Sequence, residues 1–340
     1  MTTLSDILIE KVNSRGLKPA SLKTYKNNLK NFLKHVNIEL NSLEDINSNI
    51  EKIVEYLNSI ESTSVKKNYV NPLILLLSLG KGVPDPKYKE SYDKLFNILD
   101  IELRKYRQTL EKKQLTEKQD KIFLEYDEIV NITTQKINDF LVKYPDIKSY
   151  VADKSITPDE AKQLVIVALY SYLPPRRTIY AQTQVITLPK YAKLTEEELD
   201  NNIYLVHKGK IAKFFHYGRE VVKSRTLVNE IVEIKNKYLI KILEYYLKKT
   251  KSKLLFPDRF GKPIDNNYFG KLLTRVFEKY HKKALNVVLL RKIYLMKYSD
   301  LQNDYSIKEA LEDARMMNHS IITQQQVYVK NKPINVENIE

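Results

Sequence analysis

Between Tyr106 and Asp120 the chain reads YRQTLEKKQLTEKQD, fifteen residues with high charge and almost no large apolar side chain. A segment like this cannot contribute to a packed core, so it divides the 340 residues into two parts that must each bury an apolar centre of their own. The expected organisation is a first domain over residues 1–108, a linker over 109–120 and a second domain over 121–340.

The apolar spacing of the first part is helical throughout, with breaks at Arg15-Gly16, Ile38–Leu43, Glu61–Ser64 and Gly80–Pro86. Four or five helices account for it. In SLKTYKNNLKNFLKHV the residues Leu22, Tyr25, Leu29, Phe32 and Leu33 share one face, while Lys23, Lys26, Lys30 and Lys34 recur at three and four on another. Lysines at that spacing form one edge of a helix. They are either a solvated surface or a row that follows a nucleic-acid backbone and displaces its counterions.

The second part begins with helical patterns over 127–143 and 158–172, the latter stopped by Pro174-Pro175. Short pieces rich in β-formers follow at 184–188, 203–206, 211–217 and 226–234, and the economical arrangement is a small antiparallel sheet. Helical spacing returns over 236–249, 267–283, 284–298 and 306–317, and Thr323 with Gln326 gives a capping signal for a last helix. The fold class expected is α+β, mostly helical: an all-α domain followed by a mixed one.

Hydrophobic residues make up 43% and charged residues 29%, within the range of a folded protein. The formal charge of +15 attracts polyanions, nucleic acid first and an anionic membrane surface second. No apolar run reaches the roughly 18–20 residues that span a bilayer, and MTTLSDILIEK has no basic segment ahead of an apolar one. An intracellular protein without a membrane partner is the expectation. Zero cysteines exclude disulfides and thiolate zinc sites. His35, His207, His216, His281 and His319 form no HExxH pair, and no GxxxxGK[ST] loop occurs, so no metal or nucleotide cofactor is expected.

The residues that suggest chemistry lie far apart. In MMNHSIITQQQVYVK, His319 stands nine positions before Tyr328. Tyrosine is common here, with 24 copies, so Tyr328 is singled out by its company alone. A phenol with its pKa near 10 needs cations or a proton acceptor nearby to become a nucleophile. LPPRRTIY supplies Arg176 and Arg177 just after a rigid double proline. NVVLLRKIYLM sets Arg291 among apolar residues, where a guanidinium requires an anion: an acidic side chain in an ion pair, or a phosphate.

On these motifs the chain resembles the tyrosine recombinases, the phage-integrase type of DNA breaking and rejoining enzyme. NHSIITQQQVY is similar to the family's GHxxxxTxxxY tail, with Asn318 in place of glycine and Thr323 one position early. PPRRTIY resembles the first-arginine motif of integrases from viruses and mobile elements of eukaryotic hosts, which matches Arg177, with Arg176 as the register alternative. The resemblance covers roughly residues 120–330. It implies a catalytic set of Arg177, a hairpin lysine, Arg291, His319 and Tyr328, a basic core-binding domain ahead of it, and a catalytic domain closing round duplex DNA. Lys223 suits the hairpin position and Lys210 is its rival. Val288 stands where many members carry His or Lys, shifting proton transfer towards the hairpin lysine and His319.

Lys271, Arg275 and Lys279, every fourth residue on the helix 267–283, would by the same resemblance approach the major groove; a solvated face is the alternative. The implied activity is site-specific recombination, integrating a viral or mobile genome, by a homotetramer on DNA. The tail 329–340 would pack on a neighbouring protomer. The place of action would be wherever the target DNA lies: host nucleus, cytoplasm or viral factory. A type IB topoisomerase shares the constellation, and an inactive DNA-binding protein would retain the shell of the fold.

Overall fold

A computed structural model describes residues 3–17, 19–111, 114–222, 228–250, 252–296, 312–314 and 316–317. Lys223, His319, Tyr328, the capping pair Thr323 and Gln326, and most of the helical pattern over 306–317 lie outside the described residues. The chain forms two compact units, Met1–Lys112 and Lys113–Glu340.

The first unit contains α1 (Leu4–Ser14), α2 (Pro19–His35), α3 (Leu43–Ser48), α4 (Ile50–Ser59), α5 (Thr63–Leu76) and α6 (Lys89–Glu111). Local chemistry sets the starts of α1 and α3. The Thr3 hydroxyl accepts from Asp6 N at 3.2 Å while Asp6 Oδ2 accepts from Thr3 N at 3.0 Å, and Ser42 and Asp45 repeat the reciprocal pattern. Leu8, Val12, Phe32, Ile53, Leu57, Leu73 and Leu95 fill the core. Between α5 and α6 the chain makes a small antiparallel hairpin, β1 (Ser78–Gly80) with β2 (Val83–Pro84), which the purely helical reading lacked. It is tied to α1 by Lys11 Nζ on Ser78 O at 2.7 Å and by an Arg15 guanidinium N–H on Gly80 O at 2.6 Å.

The expected linker is shorter than its charge suggests. Helix α6 continues to Glu111, and α7 (Glu117–Lys121) forms behind a Thr116–Gln119 capping box. Leu, Arg, Lys, Gln and Glu are strong helix formers, so propensity carries the helix on from turns that local pairs support: Arg104 lies 2.7 Å from Asp100, and the Lys67 ammonium sits 4.9 Å from the Tyr106 ring centroid. Glu102 on α6 is buried beside Lys66. The Thr63 hydroxyl, then Lys105 and Lys66, hold its carboxyl down to about 2 against the opposing push of burial.

In the second unit α8 (Tyr126–Lys143), α9 (Ile147–Ala152) and α10 (Asp159–Tyr172) precede the double proline. Every residue of α10 from Leu164 to Ser171 is buried, so it is the central helix, packed by α8, α14 (Lys237–Lys249) and α15 (Asn266–His281). The sheet has the order β3 (Gln184–Thr187), β4 (Ile203–Lys208), β5 (Ile211–Tyr217), β6 (Glu230–Glu233). β4, β5 and β6 are antiparallel as expected, but β3 joins β4 in parallel. Residues 188–202, with α11 (Leu188–Tyr191) and α12 (Glu196–Asn201), carry the chain back across, and a return crossover of that length makes a parallel pair. After β5 the chain passes through Gly218 into α13 (Arg219–Val222); a Cβ at Gly218 would stand 2.3 Å from Asp200 O, so only glycine fits. α16 (Val287–Met296) follows α15. Among the described residues no helix is long and apolar enough to cross a membrane.

His281 closes α15 in the core, its Nε2 3.2 Å from Thr133 Oγ1 and 3.3 Å from Ile129 O. Burial pushes its pKa down to about 4, opposed only by the Ile129 carbonyl. The folded imidazole is therefore neutral where an unfolded one, near 6.5, takes a proton. Its share of stability is complete above pH 6.5 and is lost as pH falls towards 4, up to roughly 3 kcal/mol. Denaturant unfolding at pH 7, 6 and 5 should show the gap between parent and His281→Gln narrowing with acidity. A gap independent of pH would reject the assignment.

Candidate active site

The double proline ends α10 and delivers the two arginines to opposite environments. Arg176 turns inward: 2% exposed, it donates from Nη2 to Glu230 Oε2 on β6 at 2.6 Å, and its guanidinium lies 3.7 Å from the Tyr217 ring centroid on β5. A planar cation between a carboxylate and an aromatic face is paired inside the fold, though its buried Nη1 has no hydrogen-bond partner among the described residues, and removing one partner of such a buried pair costs about 3–5 kcal/mol. Arg177 is exposed. Its carbonyl accepts from the buried Tyr170 hydroxyl at 3.0 Å and from Ile179 N at 2.7 Å, so the backbone is pinned while the side chain is outside. Of the two register alternatives, Arg177 is the one accessible to an external ligand.

Arg291, on α16, is 1% exposed. Its Nη1 donates to Pro175 O at 3.1 Å and to Met317 O at 2.9 Å. These partners explain how the cation is accommodated among Leu289, Leu290 and Ile293. They are main-chain carbonyls from two distant segments, one adjoining the arginine pair and the other two positions before His319. One guanidinium thus fastens the loop of Arg177 to the segment that leads into His319. Val288, on the same helix, is 45% exposed.

The hairpin between β4 and β5 has a two-residue turn, Gly209-Lys210, with φ of +57° and +70°. Both central residues are left-handed, the type I′ geometry that matches strand twist. Lys210 N donates to His207 Nδ1 at 3.2 Å, and burial, with the Lys210 charge second, holds His207 below its ordinary value. Lys210 therefore stands on a true β-hairpin tip, with Lys208 exposed beside it. Lys208 had drawn no notice in the sequence, because strand periodicity alone does not say where a hairpin turns.

The basic rows occupy exposed faces. Lys23, Lys26, Lys30 and Lys34 on α2 are all exposed and have no ion-pair partner among the described residues. Lys271, Arg275 and Lys279 on α15 are likewise exposed, Lys279 donating to Gln163 Oε1 at 2.6 Å and Arg275 lying 5.9 Å from the Tyr268 ring. α15 packs against the turn Thr178–Gln182 that follows Arg177: a Cβ built on Gly270 would stand 3.4 Å from Thr178 Cγ2.

No protein-family model matches the chain, and no curated protein sequence does. A solved structure described as the crystal structure of XerA recombinase is similar over 96% of this chain and 94% of its own, at 13% identity and a TM-score of 0.37.

Among the described residues, the phenols beside the buried arginines are poor nucleophiles. Burial pushes Tyr170, Tyr180 and Tyr217 upward, more than the Arg291 and Arg176 charges lower them. They remain protonated and serve as packing and hydrogen-bond donors. Glu230, Tyr217 and Tyr170 are the contributors that sequence reading missed; each acts on a residue of the PPRR loop from a strand or helix whose contact with it is visible only in the fold.

Proposed function

We propose that the chain is a tyrosine recombinase that cuts and rejoins DNA through a 3′-phosphotyrosyl intermediate, integrating a viral or mobile genome. The single observation that supports it best is the Arg291 contact with Pro175 and Met317. It draws together the segments from which the Arg, Arg and His of such a site would come. In this reading Arg177 reaches a non-bridging oxygen of the scissile phosphate, and Arg291 adds positive field while holding the surrounding backbone in place.

Tyr328 attacks phosphorus in line, the P–O5′ bond breaks, and the enzyme keeps the 3′-phosphate as a tyrosyl ester. The departing 5′-oxygen takes a proton from a hairpin lysine, Lys223 or Lys210, and His319 bonds a non-bridging oxygen or assists proton transfer by taking up the phenolic proton that Tyr328 gives up. The ester conserves the phosphodiester energy, so a 5′-hydroxyl of another strand reverses the step without ATP. The exposed lysines of α2 and the basic face of α15 hold the duplex by its phosphates. A homotetramer on two DNA sites, with residues 329–340 passed to a neighbour, completes the proposal.

Incubation with nicked suicide duplexes should trap a protein–DNA adduct that survives denaturation. Joining of two separate duplexes is the expected product. Relaxation of supercoils without joining would indicate a type IB topoisomerase, and binding without any adduct would indicate an inactive relative.

A further inference from the structure

Immediately before α15 the chain makes a tight turn, Asp258-Arg259-Phe260-Gly261-Lys262, whose exposed apolar tip has no structural explanation. Asp258 Oδ1 accepts from Phe260 N and from Lys262 N, each at 2.8 Å, and Asp258 N donates to Lys262 O at 2.7 Å. Gly261 supplies the left-handed residue, with φ of +78°. Phe256 and Ile264 are buried on either side, so the turn is anchored at both ends. Its tip is nevertheless Phe260, 71% exposed, with the guanidinium of Arg259 4.6 Å from its ring centroid. Tyr268, 53% exposed on the first turns of α15, continues the aromatic character towards Lys271 and Arg275.

Rigid backbone, one protruding ring and flanking cations suit a polyanion that also offers flat apolar faces. Arg259 and Lys262 bracket the ring, so what seats against it must also present anionic groups at its rim. A chain with charge +15 draws a polyanion towards this turn. We infer that the 258–262 turn is a DNA wedge: Phe260 seats against a base at a partly unstacked step, while Arg259 and Lys262 hold the adjoining phosphates. The inference rests on the DNA-recombinase reading and adds a sequence preference to it. Pyrimidine–purine steps unstack most easily, so such a step is favoured beneath the turn.

The test uses the full-length chain and duplexes carrying one 2-aminopurine at successive positions, with adduct formation measured on the same DNA. Binding should raise emission at one step. Phe260→Ala should abolish that signal and weaken binding about five-fold or more with the salt slope unchanged. Phe260→Leu should keep part of both, and Lys262→Ala should retain the signal while lowering the slope by about one. Equal affinity and emission in Phe260→Ala and parent overturns the inference, as does a Phe260→Ala defect confined to self-association. Adducts formed equally by both, with no Phe260-dependent emission, would sink the wedge and spare the recombinase. Phe260-dependent emission without an adduct would do the reverse, and no duplex binding at all would end both.

Discussion

Tyr328→Phe is expected to bind duplex DNA with the affinity and salt dependence of the parent while forming no denaturation-resistant adduct. The substitution removes one oxygen and keeps the ring, so packing changes little, whereas covalent chemistry loses its only proposed nucleophile. Loss of a nucleophile that acts within a concerted set lowers turnover on the order of 10⁵-fold or more. Substitution by one of the described phenols beside the arginines is disfavoured on physical grounds. Tyr170, Tyr180 and Tyr217 are buried with their pKa values raised by desolvation, and a protonated, enclosed phenol cannot reach a phosphodiester. The measurement is adduct yield on suicide duplexes resolved under denaturing conditions. A yield matching the parent's would remove Tyr328 from the mechanism and leave the role of His319 unsupported.

Arg291→Ala should be nearly as damaging, for a different reason. Deleting the guanidinium leaves two buried carbonyls, Pro175 O and Met317 O, without the donor that joins them. At about 1–3 kcal/mol for each unsatisfied group, the second unit should lose roughly 2–6 kcal/mol of stability. Cleavage should fall on the order of 10³-fold even where the variant remains folded, because an electrostatic contributor and the anchor of the Arg177 loop go together. Arg291→Lys separates fold from chemistry: the charge remains and one nitrogen can serve both carbonyls as Nη1 does, but the fixed planar donors that would address a phosphate are gone. It should recover part of the stability and little of the cleavage. Nonspecific DNA affinity should survive in both variants, being spread over exposed lysines. Parental cleavage rates in either variant would contradict the role given to Arg291.

Much of the fold was legible in the sequence because helical periodicity is local. The stretches 127–143, 158–172 and 236–249 became α8, α10 and α14 within a residue at either end, and 211–217 is β5 as expected. What failed was the inference that charge ends a helix, since α6 runs three residues past the expected boundary at 108 through a stretch of strong helix formers. The parallel pairing of β3 was also hidden, since strand direction depends on where a crossover returns. At the candidate site, the double proline and the buried setting of Arg291 were both readable. The opposite fates of Arg176 and Arg177 were not, because Glu230 and Tyr217, which hold Arg176 inside, come from strands 54 and 41 residues further along.

The β4–β5 turn has a consequence for anyone wishing to make this protein hardier. A side chain with a Cβ in left-handed backbone gives up about 1 kcal/mol relative to glycine, and Lys210 occupies that conformation at the hairpin tip. Redesign towards thermal endurance would therefore replace residue 210 with glycine or asparagine among its first choices, and in doing so would erase an ammonium from the tip.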